Sequence, residues 1–158
     1  MNVKLSKGWT THLAMLIKVV GLTKGPVLEL GSGYFSTPVL HWMCAEDRRP
    51  LTTYDDSKYF YDAMKQFHSR THKIRFVKNW DKIKFDKYSV VLVDHSANRR
   101  AKDIIRLKDK ADYIVIHDTE QDVYKYDDVW KHFKYVKHWK FCKPYTSVVS
   151  NFKDVSHL

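Results

Sequence analysis

Apolar positions along the chain change their period repeatedly. Between residues 9 and 20, Trp9, Leu13, Leu16, Ile17 and Val20 recur at the spacing of one helix face, and Gly21 follows where a helix commonly stops. This predicts an amphipathic opening helix. Short apolar runs then recur, each followed by turn or polar residues: "VLEL" at 27, "LTTY" at 51, "IRFV" at 74, "VVLV" at 90 and "YIVI" at 113. They predict strands. Helical spacing lies between them, in Val39, Leu40, Met43 and Cys44, in Phe60, Met64 and Phe67, and in Ile104, Ile105 and Lys108.

Strand and helix in alternation imply parallel strands, because parallel neighbours need a long crossover where antiparallel ones need only a turn. The near-continuous runs "VVLV" and "YIVI" suit strands covered on both faces. After residue 120 the pattern changes. A short helix carrying Val129, Trp130 and Phe133 is expected, then "KYVKHWKF" and "TSVVSN" as an antiparallel pair joined through "CKPY".

With 158 residues, 44% of them hydrophobic, and no repeat or low-complexity tract, the chain is expected to fold as one domain, with residues 1–24 as its N-terminal helix segment and 25–151 as its core. The opening "MNVKLSKGW" has no signal-like apolar run, and no stretch approaches the ~18–20 apolar residues of a membrane span. A soluble, cytoplasmic protein is the expectation. Cys44 and Cys142 are too few and too far apart for a disulfide framework or structural zinc, so both are read as reduced thiols. The net charge of +10 favours an anionic substrate or partner, or serves solubility alone.

In an open parallel sheet, ligands bind beyond the carboxyl ends of the strands. Each apolar run ends there in polar residues: Glu29 with Gly31 and Gly33, Asp55 with Asp56, Asn79 with Asp81, Asp94 with His95, and His117 with Asp118. Any one of these acids could simply cap the next helix. Gly31 and Gly33 remove side chains where strand turns to helix, so that a ligand can lie against the backbone. "GSGYFS" lacks the Lys of a P-loop and the third Gly of the dinucleotide fingerprint, and Glu29 beside the turn suits an ammonium better than a phosphate. Asp55, at the end of the second strand, stands where an acid accepts ribose hydroxyls.

Together these features resemble the class I S-adenosylmethionine-dependent methyltransferases. "VLELGSG" is similar to their first motif, "TTYDD" to the acidic end of their second strand and "YSVVLVDHS" to their fourth-strand motif. The final strand pair is similar to their reversed last strand. The resemblance spans residues 25–151 and implies an α/β fold, a Rossmann-like three-layer αβα sandwich whose mostly parallel sheet ends in an antiparallel pair. It also implies that Glu29, Gly31, Ser32 and Gly33 line the methionine part of the cofactor, that Asp55 and Asp56 meet the ribose, and that Asn79, Trp80 or Asp81 borders the adenine. Asp94 would face the cofactor's amino group or the substrate. The sequence departs from the pattern at "GYFS", where many members carry a further glycine.

"VLVDHS" and "VIHDTE" resemble the metal-binding strand ends of catechol-type O-methyltransferases, which implies a magnesium site of Asp94, Asp118 and Thr119, with Thr in place of the usual Asn. Histidine can take a proton near neutrality, and His95 and His117 fall at the ligand edge among nine histidines in all. His95 is read as the base, with Asp94 beside it, and His117 as a catalytic or substrate contact. Arg99 and Arg100 could clamp a substrate carboxylate or phosphate, with Lys143 on the same rim, or could begin a solvated helix. "KYVKHWKFCKPY" mixes basic and aromatic side chains, as a nucleic-acid surface does, but strand alternation with a lysine-protected face gives the same text.

The expected activity is methyl transfer to an oxygen or nitrogen of an anionic acceptor. The alternatives are a non-catalytic module of the same fold, binding RNA or a protein partner, and a nicotinamide-dependent oxidoreductase, which the incomplete glycine fingerprint disfavours.

Overall fold

A computed structural model describes residues 8–158. Helix α1 (Leu13–Gly21) leads into β1 (Val27–Leu30), α2 (Ser36–Glu46), β2 (Leu51–Asp55), α3 (Lys58–Met64) and β3 (His72–Phe76). Then come β4 (Tyr88–Val93), α4 (Arg100–Leu107), β5 (Ala111–His117), β6 (Tyr135–Trp139) and β7 (Thr146–Ser150). The opening helix begins at Leu13, later than its apolar spacing predicts, because residues 8–12 form turns. The part of the predicted N-terminal segment before residue 8 lies outside the described residues.

The strands form one sheet in the order β3-β2-β1-β4-β5-β7-β6. The pairs through β5 are parallel, while β7 runs antiparallel to both β5 and β6. This is the expected mostly parallel sheet with a reversed last strand.

Side chains alternate across the sheet, and both faces are covered. Leu28, Leu30, Val91, Val93, Ile114 and Ile116 form one core with Ile104 and Leu107 of α4. Val27, Val90, Leu92 and Val115 form the other with Leu16 and Val19 of α1 and Leu40 and Cys44 of α2. Double coverage is why "VVLV" reads as an unbroken apolar run. Arg49, buried, closes the α1–β1 connection by donating to the carbonyls of Gly25 and Val20 and to Thr23 Oγ1.

The face carrying α4 has fewer helices than alternation suggests. Between β3 and β4 lies only a 3-10 turn, Trp80–Lys82, and the helix expected around Val129 is a second short 3-10 turn, Trp130–His132. Aromatic bulk replaces helix there: Trp80, Phe85, Tyr126 and Phe133 are buried in the core under α4. A ring covers as much sheet as a helical turn without ordering a second element.

Candidate active site

The carboxyl ends of β1, β2, β4 and β5 surround a cavity of about 560 Å³, within the range of small-molecule sites. Register sets its floor. Leu30 pairs with Val93, so the next residues, Gly31 and Asp94, leave adjacent strands side by side. Gly31 has φ +93°, and a Cβ on it would lie 2.4 Å from the Asp94 carbonyl oxygen and 2.6 Å from the His95 nitrogen. Only glycine fits, because the left-handed conformation and the backbone approach both exclude a side chain.

The two acids after β2 behave differently. Asp55 is buried and already accepts three bonds: Oδ2 from the Ser32 amide (2.6 Å) and hydroxyl (2.7 Å), and Oδ1 from the Ser57 amide (2.6 Å). Burial, only partly offset by these donors, raises its carboxyl above the usual range. Asp55 therefore locks the glycine turn onto β2. Asp56 takes its bonds on Oδ2, from the Trp80 indole (2.9 Å) and from the Ser96 hydroxyl, which leaves Oδ1 for a ligand. Both acids line the cavity.

On the opposite wall a charged network joins β4, β5, α1 and α4. Arg100, at the start of α4, reaches Asp94 Oδ1 (2.8 Å) and Asp118 Oδ2 (2.9 Å), and its Nε donates to the His95 carbonyl (2.6 Å). Burial opposes its charge, but Asp94 and the groups around it hold the guanidinium protonated well above its usual range. Asp118 sits at the end of β5 with φ 58°, held by Arg100, Tyr124 and Gln121. His117 Nδ1 stands 3.3 Å from Asp94 Oδ1, and its Nε2 stands 2.9 Å from Thr11 Oγ1. Burial penalises an ionised Asp94, but His117 and Arg100 outweigh that and hold its carboxyl below the usual range. His12, from the turn before α1, lies with its ring 4.5 Å from that of His117, and burial lowers its pKa to about 4.

The remaining wall is aromatic. Trp9, Tyr34 and Phe60 line the cavity, with the Trp9 and Tyr34 rings nearly parallel at 6.4 Å and Phe60 edge-on to both. Gly8 carries this N-terminal segment against Pro144: its φ is +97°, and a Cβ there would lie 2.3 Å from the proline Cδ. Thr11 Oγ1 fastens the contact by donating to the Pro144 carbonyl (2.8 Å).

Solved structures that superimpose on the chain include methyltransferases. The chain superimposes on the Podospora anserina methyltransferase PaMTH1 with SAH at a TM-score of 0.69 and 11% identity, covering 94% of this chain and 80% of that one. The N-terminal domain of human METTL16 in complex with SAH gives 0.66 at 13% identity (97% and 76%). An O-methyltransferase from Bacillus cereus in complex with SAH gives 0.63 at 14% (93% and 82%). The fold is that of the class I methyltransferases. No protein-family model matches the chain, and no curated protein matches it in sequence.

In this methyltransferase fold the side chains expected at the site divide into two groups. Gly31, Ser32, Gly33, Asp55, Asp56, Asp94, His95, Arg100, His117 and Asp118 line the cavity. Glu29 does not. It is fully buried behind the glycine turn, where Thr37 Oγ1 donates to it (3.0 Å) while accepting from the Gly33 amide (2.9 Å), and Thr53 Oγ1 donates from the other side (2.7 Å). Burial raises the Glu29 carboxyl to about 7 despite these hydroxyls. Its role is to hold the turn through Thr37.

Asn79, Trp80 and Asp81 also stand outside the cavity lining. Asn79 accepts from the Asp81 amide (2.9 Å), Trp80 is buried in the core, and Asp81 pairs on the surface with Arg99 (3.0 Å) and Lys102 (2.8 Å). With no helix after β3, Trp80 is drawn into the space a helix would fill. Arg99 bonds Asp81 and Asp103, and Arg100 bonds Asp94 and Asp118, so the expected substrate clamp is instead paired with the chain's own carboxylates. Thr119 hydrogen-bonds Ser147 (3.0 Å) rather than facing Asp94 with Asp118. His95 meets Asp103 through Nε2 (3.0 Å) and packs on Trp80, and its Nδ1 is buried without a hydrogen-bond partner among the described residues.

Trp9, His12, Tyr34 and Phe60 are the site residues that the pattern did not single out. Trp9 and Phe60 were read only as apolar helix positions, and His12 carries no motif. Its one signal is its place three residues before Met15, the first buried position of α1.

Proposed function

We propose that the cavity binds S-adenosylmethionine and that the protein transfers its methyl group to an oxygen or nitrogen of an acceptor held against Trp9, Tyr34 and Phe60. The observation that carries this reading is the Gly31 turn. Its backbone lies against the Asp94–His95 backbone with Asp56 Oδ1 left open beside it, which makes a narrow slot with an acid at the ribose end. The residues fit the group. Asp56 would take the ribose hydroxyls, the methionine part would lie against the side-chain-free backbone of the Gly31–Gly33 turn, and the ionised Asp94 would take its ammonium. A bound sulfonium supplies an already activated methyl group, so the chain's task is mainly placement.

Each wall has a part in that placement. Glu29 and Asp55 fix the turn through Thr37 and Ser32. Arg100 fixes Asp94 and Asp118 on the facing wall. The aromatic wall excludes water and orients a planar or apolar portion of the acceptor, while the net charge of +10 favours an acceptor bearing negative charge.

Thermal denaturation with millimolar S-adenosylmethionine, SAH, NAD or a short RNA tests the reading. Selective stabilisation by the first two supports it. Stabilisation by NAD alone, or salt-sensitive stabilisation by RNA alone, would replace it with an oxidoreductase or a nucleic-acid module.

A further inference from the structure

We propose that His12, Asp94 and His117 form a binding site for a divalent transition metal of the zinc class, one that shares Asp94 with the cavity and so sets the ion and the ammonium of S-adenosylmethionine in competition for that carboxylate. One potential ligand atom from each of the three residues lies within 4.8 Å of the others. They come from three separate elements, the turn before α1, the end of β4 and the end of β5, so no local sequence preference brings them together.

Hydrogen bonding around His117 says which atoms face the centre. The single hydroxyl proton of Thr11 is directed to the carbonyls of Pro144 (2.8 Å) and Gly8 (3.0 Å). Toward His117 Nε2, 2.9 Å away, that hydroxyl must therefore accept, which places the ring proton on Nε2. Nδ1 faces Asp94 Oδ1 at 3.3 Å, where a protonated ring pairs with the carboxylate and where a bound cation would take the place of that proton. A histidine ligand whose other nitrogen donates to a fixed oxygen is the usual arrangement of a metal-bound imidazole.

His12 is the independent second observation. It is 2% exposed, and neither Nδ1 nor Nε2 has a hydrogen-bonding partner among the described residues. A buried polar ring in that condition needs an explanation, and coordination supplies one. The local charge agrees: Asp94 and Asp118 against Arg100 leave one net negative charge beside the two rings. Arg100 and His117 both approach Oδ1 of Asp94, which leaves Oδ2 for an ion. Two imidazoles and one carboxylate are a borderline donor set that suits zinc, cobalt or iron and not magnesium, and three protein ligands leave a coordination position for water or a substrate atom at the cavity wall.

The test uses the full chain after removal of metal with a chelator. Zinc is titrated calorimetrically, and cobalt is followed by its visible absorption. The expected result is one equivalent per chain, with cobalt bands of a four- or five-coordinate site and no competition from magnesium. His12→Ala and His117→Ala should each lower zinc affinity by more than the roughly 10- to 100-fold that loss of an outer-shell partner costs, while His157→Ala, on the surface, leaves it unchanged. Should a variant fail to fold, histidine ring nitrogen resonances of the wild type serve instead: zinc must shift two rings, those of His12 and His117. Absence of a zinc equivalent and of cobalt bands in the wild type would overturn the proposal, as would zinc binding that survives both substitutions or shifts other rings.

Discussion

The two sides of the cavity are built on opposite principles. On the β1–β2 side, glycine and hydrogen bonds to the turn shape the backbone: Gly31 against Asp94, Asp55 on Ser32, Glu29 on Thr37. On the β4–β5 side, charged side chains from two strand ends and the start of α4 pair with one another around Arg100. The first side tolerates little change in shape and the second little change in charge. Substitutions on the two should therefore fail for different reasons.

The largest expected effect lies on the charged side. Arg100→Met would strand Asp94 and Asp118 without their cation, and breaking a buried pair in this way costs about 3–5 kcal/mol. Urea denaturation measures the loss. A cost under about 1 kcal/mol would show that the network is solvated and would remove the contrast between the two sides.

Glu29 sharpens the comparison, because it is a buried acid on the shape-governed side. Its folded pKa of about 7 lies above the ordinary glutamate value of 4.5, so between these pH values the native state holds a proton that the unfolded state has released. Stability must fall as pH rises through this window and level off above it, by about 3 kcal/mol in all at 1.36 kcal/mol per pKa unit. Glu29→Gln should abolish the fall, leaving a variant more stable than the wild type at pH 8 and similar to it near pH 4. Parallel stability curves for the two proteins would contradict this.

Gly31→Ala comes next, at about 2–3 kcal/mol, because a non-glycine residue at φ +93° is strained and the new Cβ meets backbone that cannot step aside. If the β1–β2 side works by shape, this variant should unfold at lower urea yet keep the wild-type pH dependence.

The sequence made the fold and the β1–β2 side readable and left the charged side largely hidden. "VLELGSG" carries strand, turn and glycine in seven consecutive residues, so the backbone constraint at Gly31 is local and visible. Asp94 and His117 were visible as strand ends, but their partnership with His12 depends on how α1 docks across the sheet. The arginines after β4 looked free because nothing in "ANRR" indicates that Asp94 and Asp118 turn back to meet Arg100. Asn79, Trp80 and Asp81 stand where the resemblance puts them in the chain, yet Trp80 is claimed by the core on a face short of helices.

The most direct test of the central claim is calorimetric titration of the wild type and of Asp56→Ala with SAH. The account predicts one saturable equivalent for the wild type, and for the variant a weakening of about 1–3 kcal/mol, the loss expected for charge-assisted hydrogen bonds to a ligand. No heat from folded wild-type protein at millimolar SAH, or equal binding by the variant, would contradict it.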